Sequence, residues 1–439
     1  MSNLPFLSKV LEKIVLKQVQ DHLRSNDLVD VFQSAYRRDH SMETAVLSVL
    51  DSLLVQNDER RVSLIALLDL SAAFDTLDHS VMLKRLEMSF GFRGSLLRWF
   101  SSYVSDRFQR VVIDDVCSEP SALLYGVPQG SVLGPVLFSL YSQPLSDVIS
   151  SHGCQYHKYA DDTELSKSAS PDSFSTVTLT VQSCVHDISS WMNSNKLKLN
   201  PDKTEVMPVG SVSRLALVGE ESLNLGGATI LFQPSVKYLG VKLDQTLSMH
   251  DQISSTCRAC FFELRRIASI RPFLSKEAVL KLVVATVLSR LDYCNSVLIG
   301  LPEDQILRLQ RVQNSAARLV LGKKKKDHVT PLLQTLHWLP VKARCQYKIA
   351  VLAYRHFDGT LAPYLSTLLS TREAPRTLRS AKEKRLAIPR CNLKSAGERS
   401  FRFVAPSVWN ALPISLRDMP SLDLFKSSLK SHLFMKFFQ

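Results

Sequence analysis

Apolar residues recur at helical spacing near the start of the chain and at strand spacing further on. Residues 4–24 and 41–56 predict two amphipathic helices, because their apolar positions recur every three or four residues. The short apolar run 62–70 predicts a buried strand that ends in a polar turn. Residues 155–166 alternate between polar and apolar positions around a polar tetrapeptide, which predicts a β-hairpin.

The same two periods predict the remaining elements. Up to residue 243 these are a helix over 78–90 closed by Gly91 and Gly94, two strands within 107–127, helices over 131–149 and 172–195, and strands near 204–209, 229–232 and 236–243. After residue 243 the strand pattern stops, and residues 250–322 predict helices almost throughout. This order predicts an α+β fold, with an antiparallel sheet and its helices followed by an all-α part.

Composition excludes a disordered chain and a membrane protein. The 439 residues are 45% hydrophobic and 22% charged, which is typical of a folded protein of more than one core. No apolar run approaches the roughly 18 residues that a membrane-spanning helix needs, and the first residues do not form a secretory signal. The eight cysteines are scattered, which favours reduced thiols. We therefore expect an intracellular protein, neither secreted nor bound in a membrane.

Charge divides the chain into two unequal parts. Residues 251–439 contain 32 Lys and Arg against 13 Asp and Glu, a net +19, whereas residues 1–250 contain 22 against 28, a net −6. A basic part of this kind favours contact with a polyanion, although a solvated basic surface has the same composition. The densest run, Lys323, Lys324, Lys325 and Lys326, is a candidate nucleic-acid contact, or else a solvated loop or nuclear-import signal.

Three aspartates are candidates for metal binding. Asp69 ends the apolar strand, and Asp161 with Asp162 occupies the tip of the predicted hairpin. An unpaired carboxylate is costly in so apolar a setting, and a divalent cation removes that cost. Two Mg²⁺ ions about 3.5–4 Å apart are the usual arrangement in phosphoryl-transfer sites. Taken singly, an aspartate after a strand is an ordinary turn former, and metal binding is the less favoured interpretation.

Five motifs in a fixed order change this picture. They are LIALLDLSAAFDTLDH, GVPQGSVLGPVLFSLY, YHKYADDTEL, LKLNPDKTEVM and VKYLGVKLD. This series resembles the consecutive motifs of reverse transcriptases, in particular those of non-LTR (LINE-type, jockey-like) retrotransposons. The resemblance implies a right-hand polymerase palm with partial fingers, followed by an all-α thumb and a helical C-terminal region. It also implies RNA-directed DNA polymerase activity by two-metal nucleotidyl transfer to a primer 3′-hydroxyl.

The resemblance assigns roles to individual residues. Asp69 and Asp161 would bridge the metal ions with Asp162 beside them, and Lys203 would stand near the leaving pyrophosphate. A second group would contact substrates: Phe74 as the gate against a 2′-hydroxyl, Gln129 and Gly130 in the nucleotide pocket, and Leu239 and Gly240 at the primer backbone. Outside the resemblance, Phe74 is an ordinary core aromatic, Lys203 a solvated lysine and YLGV a plain strand.

Cofactors, partners and domains follow from the same resemblance. The expected cofactor is Mg²⁺ as two ions, with Mn²⁺ as an alternative, and the expected partners are an RNA template, a DNA primer and deoxynucleoside triphosphates. An endonuclease could act in trans, and the expected location is the nucleus or the cytoplasm. The predicted domains are partial fingers (1–60), palm and fingers (61–245), a helical thumb (246–330) and a basic helical region (331–439) with a linker or extended arm near 371–400.

The start of the sequence departs from the family pattern. Relatives usually carry Arg-Pro-Ile before a Ser-Asn-Leu-Pro stretch, whereas this sequence begins Met-Ser-Asn-Leu-Pro. We therefore expect an N-terminally truncated copy that lacks the upstream fingers, with Arg37 and Arg38 as substitutes for phosphate contact. The competing hypothesis is a remnant that binds nucleic acid without polymerising. A general RNA-dependent RNA polymerase is disfavoured by Phe74 at the gate position.

Overall fold

The computed structural model describes residues 4–71, 74–114, 116–219, 221–225, 228–372 and 384–438. Within these residues the helices are α1 (Phe6–Ser25), α2 (Met42–Asp58), α3 (His79–Met88), α4 (Gly94–Val104), α5 (Gly134–Tyr141), α6 (Leu145–Ser151), α7 (Phe174–Ser194), α8 (Val212–Leu215), α9 (His250–Ile270), α10 (Lys276–Val283), α11 (Ser289–Asp292), α12 (Glu303–Leu321), α13 (Thr330–Thr335), α14 (Val341–Phe357), α15 (Pro363–Ser366), α16 (Phe401–Asn410), α17 (Ile414–Arg417) and α18 (Leu422–Phe438). The strands are β1 (Val62–Leu68), β2 (Phe108–Gln109), β3 (Val112–Ile113), β4 (Val116–Cys117), β5 (Ser121–Ala122), β6 (Gln155–Tyr159), β7 (Asp162–Ala169), β8 (Glu205–Val209), β9 (Ser222–Leu225), β10 (Ala228–Leu231), β11 (Ser235–Tyr238) and β12 (Val241–Asp244).

A four-stranded antiparallel sheet lies at the centre, with the strand order β6-β7-β1-β8. Strand β1 pairs on both sides, and its run of Val, Leu and Ile side chains is buried on both faces. A central strand of this kind needs apolar residues at every position, which explains why the sequence shows a continuous run here and not an alternation. The α+β class predicted from the sequence is confirmed.

Two apolar clusters cover the two faces of this sheet. Leu64, Ala66 and Leu165 face a cluster built with α3 to α7. Ile65 and Met207 face the other cluster, which contains side chains from α2, the hairpin β11–β12 and the helices from α9 to α18. The helices after residue 245 therefore share one core with α2 and with the sheet.

The structure places several predicted elements accurately. Helix α2 starts with a capping box. The Ser41 side chain accepts from the Thr44 backbone N–H, and the Thr44 side chain accepts from the Ser41 backbone N–H. The helix predicted over 172–195 and the hairpin predicted over 155–166 are present as α7 and β6–β7. These elements have strong local signals, and the structure uses them as the sequence predicts.

Other predicted elements were wrong in detail. The helix predicted over 131–149 is two helices, α5 and α6, because Pro144 cannot donate a helical N–H and begins a new helix. The strand predicted over 236–243 is a hairpin, β11–β12, in which Leu239 and Gly240 have positive φ values of 45° and 80°. Gly94 begins α4 and does not close the preceding helix. The two strands predicted within 107–127 are the short strands β2 to β5.

The predicted linker is only partly within the described residues. Residues 373–383 lie outside them, while the segment 384–400 packs against the folded chain and ends in a short 3₁₀ helix, Gly397–Arg399. Leu386 is buried and exchanges two hydrogen bonds with the Asn410 side chain, and the Trp409 indole donates to the Lys384 carbonyl. The described part of this segment is therefore a bound arm. No helix among the described residues has the length and apolar character needed to cross a membrane.

Candidate active site

The register of the central sheet brings Asp69 to the hairpin that carries Asp161 and Asp162. The antiparallel pairing of β1 with β7 ends at Leu68 opposite Thr163. Asp69 directly follows Leu68 and Asp162 directly precedes Thr163, so both acids lie at this end of the strand pair, and both line the same cleft. Acids separated by 92 positions in sequence, Asp69 and Asp161, are thus neighbours at one end of the sheet.

The turn between β6 and β7 presents these acids at its tip. Tyr159 pairs with Asp162, and Ala160 and Asp161 form the two-residue turn. Ala160 has a φ of 59°, in the left-handed region that a residue with a Cβ rarely adopts. The turn therefore needs contacts that hold it in this conformation.

The acids repel one another. Burial, and then the charges of Asp161 and Asp69, raise the pKa of Asp162 to about 6. Burial and the Asp69 charge also raise the pKa of Asp161, while Lys203 acts in the opposite direction on both groups. A cluster whose ionised form is disfavoured in this way gains stability from a bound cation.

Lys203 is the cation that stands beside the cluster. Its Nζ lies 3.4 Å from Asp69 Oδ1, with the lysine side chain 64% exposed and the aspartate side chain 30% exposed. The local chain fixes the position, because the Asn200 side chain caps the turn Pro201–Lys203 and the Asn200 N–H donates to the Asp69 carbonyl. The structure thus brings Lys203 to the predicted acids.

A cleft of about 100 Å³ opens beside these groups. Its lining residues come from the ends of three sheet strands and from the hairpin β11–β12: Leu67, Leu68, Asp69, Asp162, Thr163, Lys203, Glu205, Lys237, Tyr238 and Leu239. Leu239 and Gly240 form the turn of that hairpin, where the Tyr293 hydroxyl donates to the Leu239 carbonyl at 2.6 Å. A Cβ on Gly240 would lie 3.2 Å from the same hydroxyl oxygen, so the tyrosine packs closely on the turn. Leu239 of the predicted primer contact therefore borders the same cleft as Asp69 and Asp162, while Gly240 and Asp161 are outside its lining.

The predicted nucleotide pocket lies on the chain segments after β1 and before α5. Gln129 Nε2 donates to both carboxylate oxygens of Asp75, at 3.0 and 2.9 Å, and Gly130 has a φ of 92°. Phe74 is half-buried, with its ring centroid 4.9 Å from that of Phe138. These three residues stand outside the lining of the 100 Å³ cleft. Gln129 is therefore hydrogen-bonded to Asp75, in the segment that follows Asp69. Phe74 packs partly into the core against Phe138.

The lysine run and the two arginines have different surroundings. Residues 323–326 are exposed and directly follow α12. Arg37 donates to the Asp30 carbonyl at 2.6 Å and to the Gln33 carbonyl at 2.9 Å, so its guanidinium is occupied by backbone. Arg38 has a side chain 83% exposed and lies 3.6 Å from Asp39. Of the two expected phosphate contacts, Arg38 is the one that faces solvent.

A larger cavity, about 490 Å³, lies between α1, α5 and the loop 29–40. Tyr36 and Arg38 are among its lining residues. Burial, and then the charge of Asp161, raise the pKa of Tyr36. No periodicity or motif in the sequence marks Tyr36 as a candidate.

Gln33 was also missed by the sequence reasoning. This buried side chain donates to the Ala160 carbonyl at 3.3 Å and accepts from the Ala160 N–H at 3.1 Å. It therefore contacts the backbone of the turn that carries Asp161. The only available signal was a glutamine between Phe32 and Ser34, which no period or motif marks as special.

The chemistry of the acids fits a divalent cation. Among the described residues, no three acidic, histidine or cysteine side chains already stand together as a set of metal ligands. The carboxylates of Asp69, Asp161 and Asp162 are nevertheless hard oxygen donors of the kind Mg²⁺ prefers, and burial followed by neighbouring negative charge raises the pKa of Asp161 and of Asp162. The donor set is therefore suited to a hard divalent ion.

Comparison with known proteins identifies the class of protein that this sheet and its acids define. Residues 1–243 match the family described as reverse transcriptase (RNA-dependent DNA polymerase). Because the match covers more than half of the 439 residues, the chain belongs to this family. The sheet β6-β7-β1-β8 is accordingly the palm of a right-hand polymerase fold, as the sequence predicted.

Individual relatives confirm the resemblance to jockey-like non-LTR elements. The chain is 28% identical over 289 residues to the probable RNA-directed DNA polymerase from transposon BS of Drosophila melanogaster, covering 64% of this chain and 31% of the relative. It is 27% identical over 274 residues to the RNA-directed DNA polymerase from mobile element jockey of the same species, covering 61% and 29%. The chain thus spans about a third of the length of these curated relatives.

Solved structures of telomerase are also similar to the chain. The telomerase of Candida albicans, in complex with a fragment of telomeric RNA, superposes with a TM-score of 0.39 at 16% identity, covering 78% of this chain and 56% of that chain. The apo telomerase of Candida tropicalis gives a TM-score of 0.38 at 13% identity, covering 82% and 54%.

Proposed function

We propose that this chain is the RNA-directed DNA polymerase of a jockey-like retrotransposon and that it extends a primer by two-metal nucleotidyl transfer. The observation that carries the proposal is the sheet register that brings Asp69 beside Asp162, at a cleft that Lys203 and Leu239 also line. Membership of the reverse transcriptase family supports the same activity. The substrates are deoxynucleoside triphosphates, a DNA primer and an RNA template.

In this proposal Asp69, Asp161 and Asp162 hold two Mg²⁺ ions, or Mn²⁺ in their place. Bound there, the ions supply a lowered pKa for the primer 3′-hydroxyl and neutralise the charge of the triphosphate. Lys203, whose Nζ lies 3.4 Å from Asp69, either donates a proton to the leaving pyrophosphate or stabilises its negative charge as a cation. The protein's own part is to keep three carboxylates together despite their repulsion.

The remaining sites position substrates. The Leu239–Gly240 turn holds the primer backbone, because it borders the cleft and is fixed by Tyr293. Gln129 and Gly130 border the nucleotide. The Phe74 ring, which is partly buried beside Phe138, excludes a nucleotide that carries a 2′-hydroxyl. The lysines 323–326 contact phosphates without reading sequence, as their exposure allows. The location that goes with this proposed activity is the nucleus or the cytoplasm, and an endonuclease acting in trans is a further proposed partner.

The test is incorporation of labelled deoxynucleotide by the purified 439-residue chain on a primed RNA template. We expect extension that requires Mg²⁺ or Mn²⁺, stops on chelation, and falls by roughly 10³-fold in Asp161→Asn, because loss of a metal-holding carboxylate would weaken the stabilisation that the ions give to charge developing in the transition state. Asp423→Asn is the matched control, since this aspartate side chain is 96% exposed on α18.

Two results would contradict the proposal. Extension that continues in a chelator or in Asp161→Asn would remove these acids from the reaction. Tight binding of primer and template with no extension by the wild-type chain would favour a protein that binds nucleic acid without polymerising it. Filter binding of the same labelled duplex measures binding separately from extension, so it distinguishes a protein that binds without polymerising from one that does not bind.

A further inference from the structure

The turn that carries Asp161 is held by a side chain from another part of the chain. Gln33 is 3% exposed, and its amide spans the Ala160 backbone, accepting from the Ala160 N–H at 3.1 Å and donating to the Ala160 carbonyl at 3.3 Å. Its oxygen also accepts from the Ala35 N–H at 3.0 Å. Among uncharged side chains of this length, an amide is the one that donates and accepts at the same site. The contact thus fixes a turn residue that has a positive φ.

Gln33 itself is fixed by the sheet edge. The Lys158 N–H donates to the Phe32 carbonyl at 2.8 Å, and the Ser34 N–H donates to the Lys158 carbonyl at 2.9 Å. Gln33 therefore lies as a parallel bridge partner of Lys158, on the free edge of β6. The Arg37 guanidinium also holds this segment, because it donates to the Gln33 carbonyl at 2.9 Å. Residues 32–34 act as a short fifth element of the palm sheet.

The C-terminal region holds this element from the outer side. Tyr364, in α15, is buried, and its hydroxyl donates to Thr44 Oγ1 and lies 2.8 Å from Ser34 Oγ. Ser34 Oγ is also 2.8 Å from Nε2 of His157 on β6. The Tyr364 ring lies edge-on to His157, with centroids 4.7 Å apart. A residue beyond the segment 1–243 that matches the family thus contacts both Ser34 and the strand leading to Asp161.

We infer that Gln33 and Tyr364 are positioning residues, which set the geometry of the turn that carries Asp161 through the element 32–34. The inference rests on the proposed function for its consequence in catalysis. Neither residue borders the cleft beside Asp69. Gln33 lines the 490 Å³ cavity, but its amide oxygen and nitrogen are both hydrogen-bonded to Ala160, so we assign its effect to the turn. The C-terminal region therefore contributes to the catalytic geometry through Tyr364.

The first test separates positioning from substrate binding. Gln33→Met keeps the length of the side chain and removes both hydrogen-bonding groups. We expect kcat for primer extension to fall by at least about tenfold, with KM for the deoxynucleotide unchanged, because small displacements of a reacting group act on the chemical step. Tyr364→Phe removes one hydroxyl and should act in the same direction, to a smaller extent.

Matched controls remove similar groups elsewhere. Gln143→Met deletes a glutamine amide that donates to the Leu28 carbonyl, and Tyr347→Phe deletes a half-buried hydroxyl on α14. Both controls should retain wild-type kcat. A fall in kcat of the controls equal to that of the Gln33 and Tyr364 variants would overturn the inference. So would full activity of Gln33→Met.

The second test does not depend on activity. Hydrogen exchange of the peptide that contains residues 159–162 should be faster in Gln33→Met and in Tyr364→Phe, while the thermal midpoint of the full chain stays close to wild type. Unchanged exchange in this peptide, or a loss of activity that only follows global unfolding, would overturn the inference. If the wild-type chain does not extend primers, the proposed function fails, while exchange still decides whether Gln33 and Tyr364 hold the turn.

Discussion

Two groups of aspartates in this chain differ in how completely their charge is neutralised. On α2, Asp51 is 1% exposed and accepts from the Arg402 backbone N–H and, at 2.9 and 2.6 Å, from its guanidinium. Asp58 accepts from the backbone N–H groups of Asn392 and Leu393. At the end of the palm sheet, Asp69 has Lys203 at 3.4 Å, and the neighbouring Asp162 has a raised pKa.

The difference in neutralisation separates acids whose charge is paired within the fold from acids whose charge is available to a ligand. The acids of α2 bind partners more than 300 positions away in the chain, so they join the C-terminal region to the first half of the molecule. Their lone pairs are occupied, and they have little capacity for a ligand. The acids of the palm are held together without enough cationic charge, which is the arrangement expected of a site that binds a cation.

The largest expected effect is on stability. We expect Asp51→Asn to lower the free energy of unfolding by about 2 kcal/mol, because it leaves the Arg402 guanidinium without its counter-charge. This value lies below the full cost of breaking a buried pair because the Arg402 side chain is 34% exposed and reaches water. Asp69→Asn should leave stability unchanged or raise it, since it removes a repelled charge. Urea unfolding of both variants measures the contrast.

The opposite ranking of these two variants would break the comparison. A larger loss of stability in Asp69→Asn than in Asp51→Asn would mean that the palm acids hold the fold. Circular dichroism before denaturation checks that each variant starts folded.

A smaller effect is expected from pH. The pKa of Asp162 is about 6 in the folded chain against the ordinary 3.8, so the folded state binds the proton more tightly. Stability from this group is therefore greatest below pH 3.8 and falls as pH rises towards 6. Asp162 packs into the cleft, which raises its pKa, but it also has a face open to solvent, so screening limits the fall to less than about 1 kcal/mol. The difference in unfolding free energy between wild type and Asp162→Asn should show this step.

Addition of Mg²⁺ sharpens the same measurement. The ion competes with the proton for the carboxylates, so it should raise the thermal midpoint more at pH 7.5 than at pH 5. Asp162→Asn should reduce that pH dependence, whereas Asp423→Asn should keep it. An equal response at both pH values would show that the ion does not bind these acids.

The sequence predicted the palm acids better than their surroundings. Asp69 follows a continuous apolar run, and Asp161 lies in a polar turn between alternating arms, so both acids have local signals. The resemblance to reverse transcriptases also assigns roles to Lys203 and Leu239, and both residues line the cleft with Asp69 and Asp162. The elements that depend on short-range pattern were therefore accessible from the sequence.

The contacts that hold the site were not accessible in this way. Gln33 meets Ala160 across 127 positions, and Asp51 meets Arg402 across 351, without any period that links the partners. The hairpin around Leu239 and Gly240 was mistaken for one strand because its two-residue turn interrupts the apolar pattern only briefly. Contacts between distant residues and the conformations of short turns depend on how the chain packs. A single sequence does not show which distant residues will meet.

The smallest effect, and the sharpest form of the comparison, is the coupling between Asp69 and Lys203. Their side chains are 30% and 64% exposed and 3.4 Å apart, so the double-mutant cycle of Asp69→Asn with Lys203→Met in chelator should give a coupling free energy of about 0.5 kcal/mol or less. The matched cycle of Asp51→Asn with Arg402→Met should give a value several times larger, because Asp51 is buried. A strong coupling at Asp69 would mean that Lys203 already neutralises the palm acids, and a divalent ion would then have to displace it. Weak coupling leaves the carboxylates available, and Mg²⁺ should lower it further because the ion competes with Lys203 for Asp69.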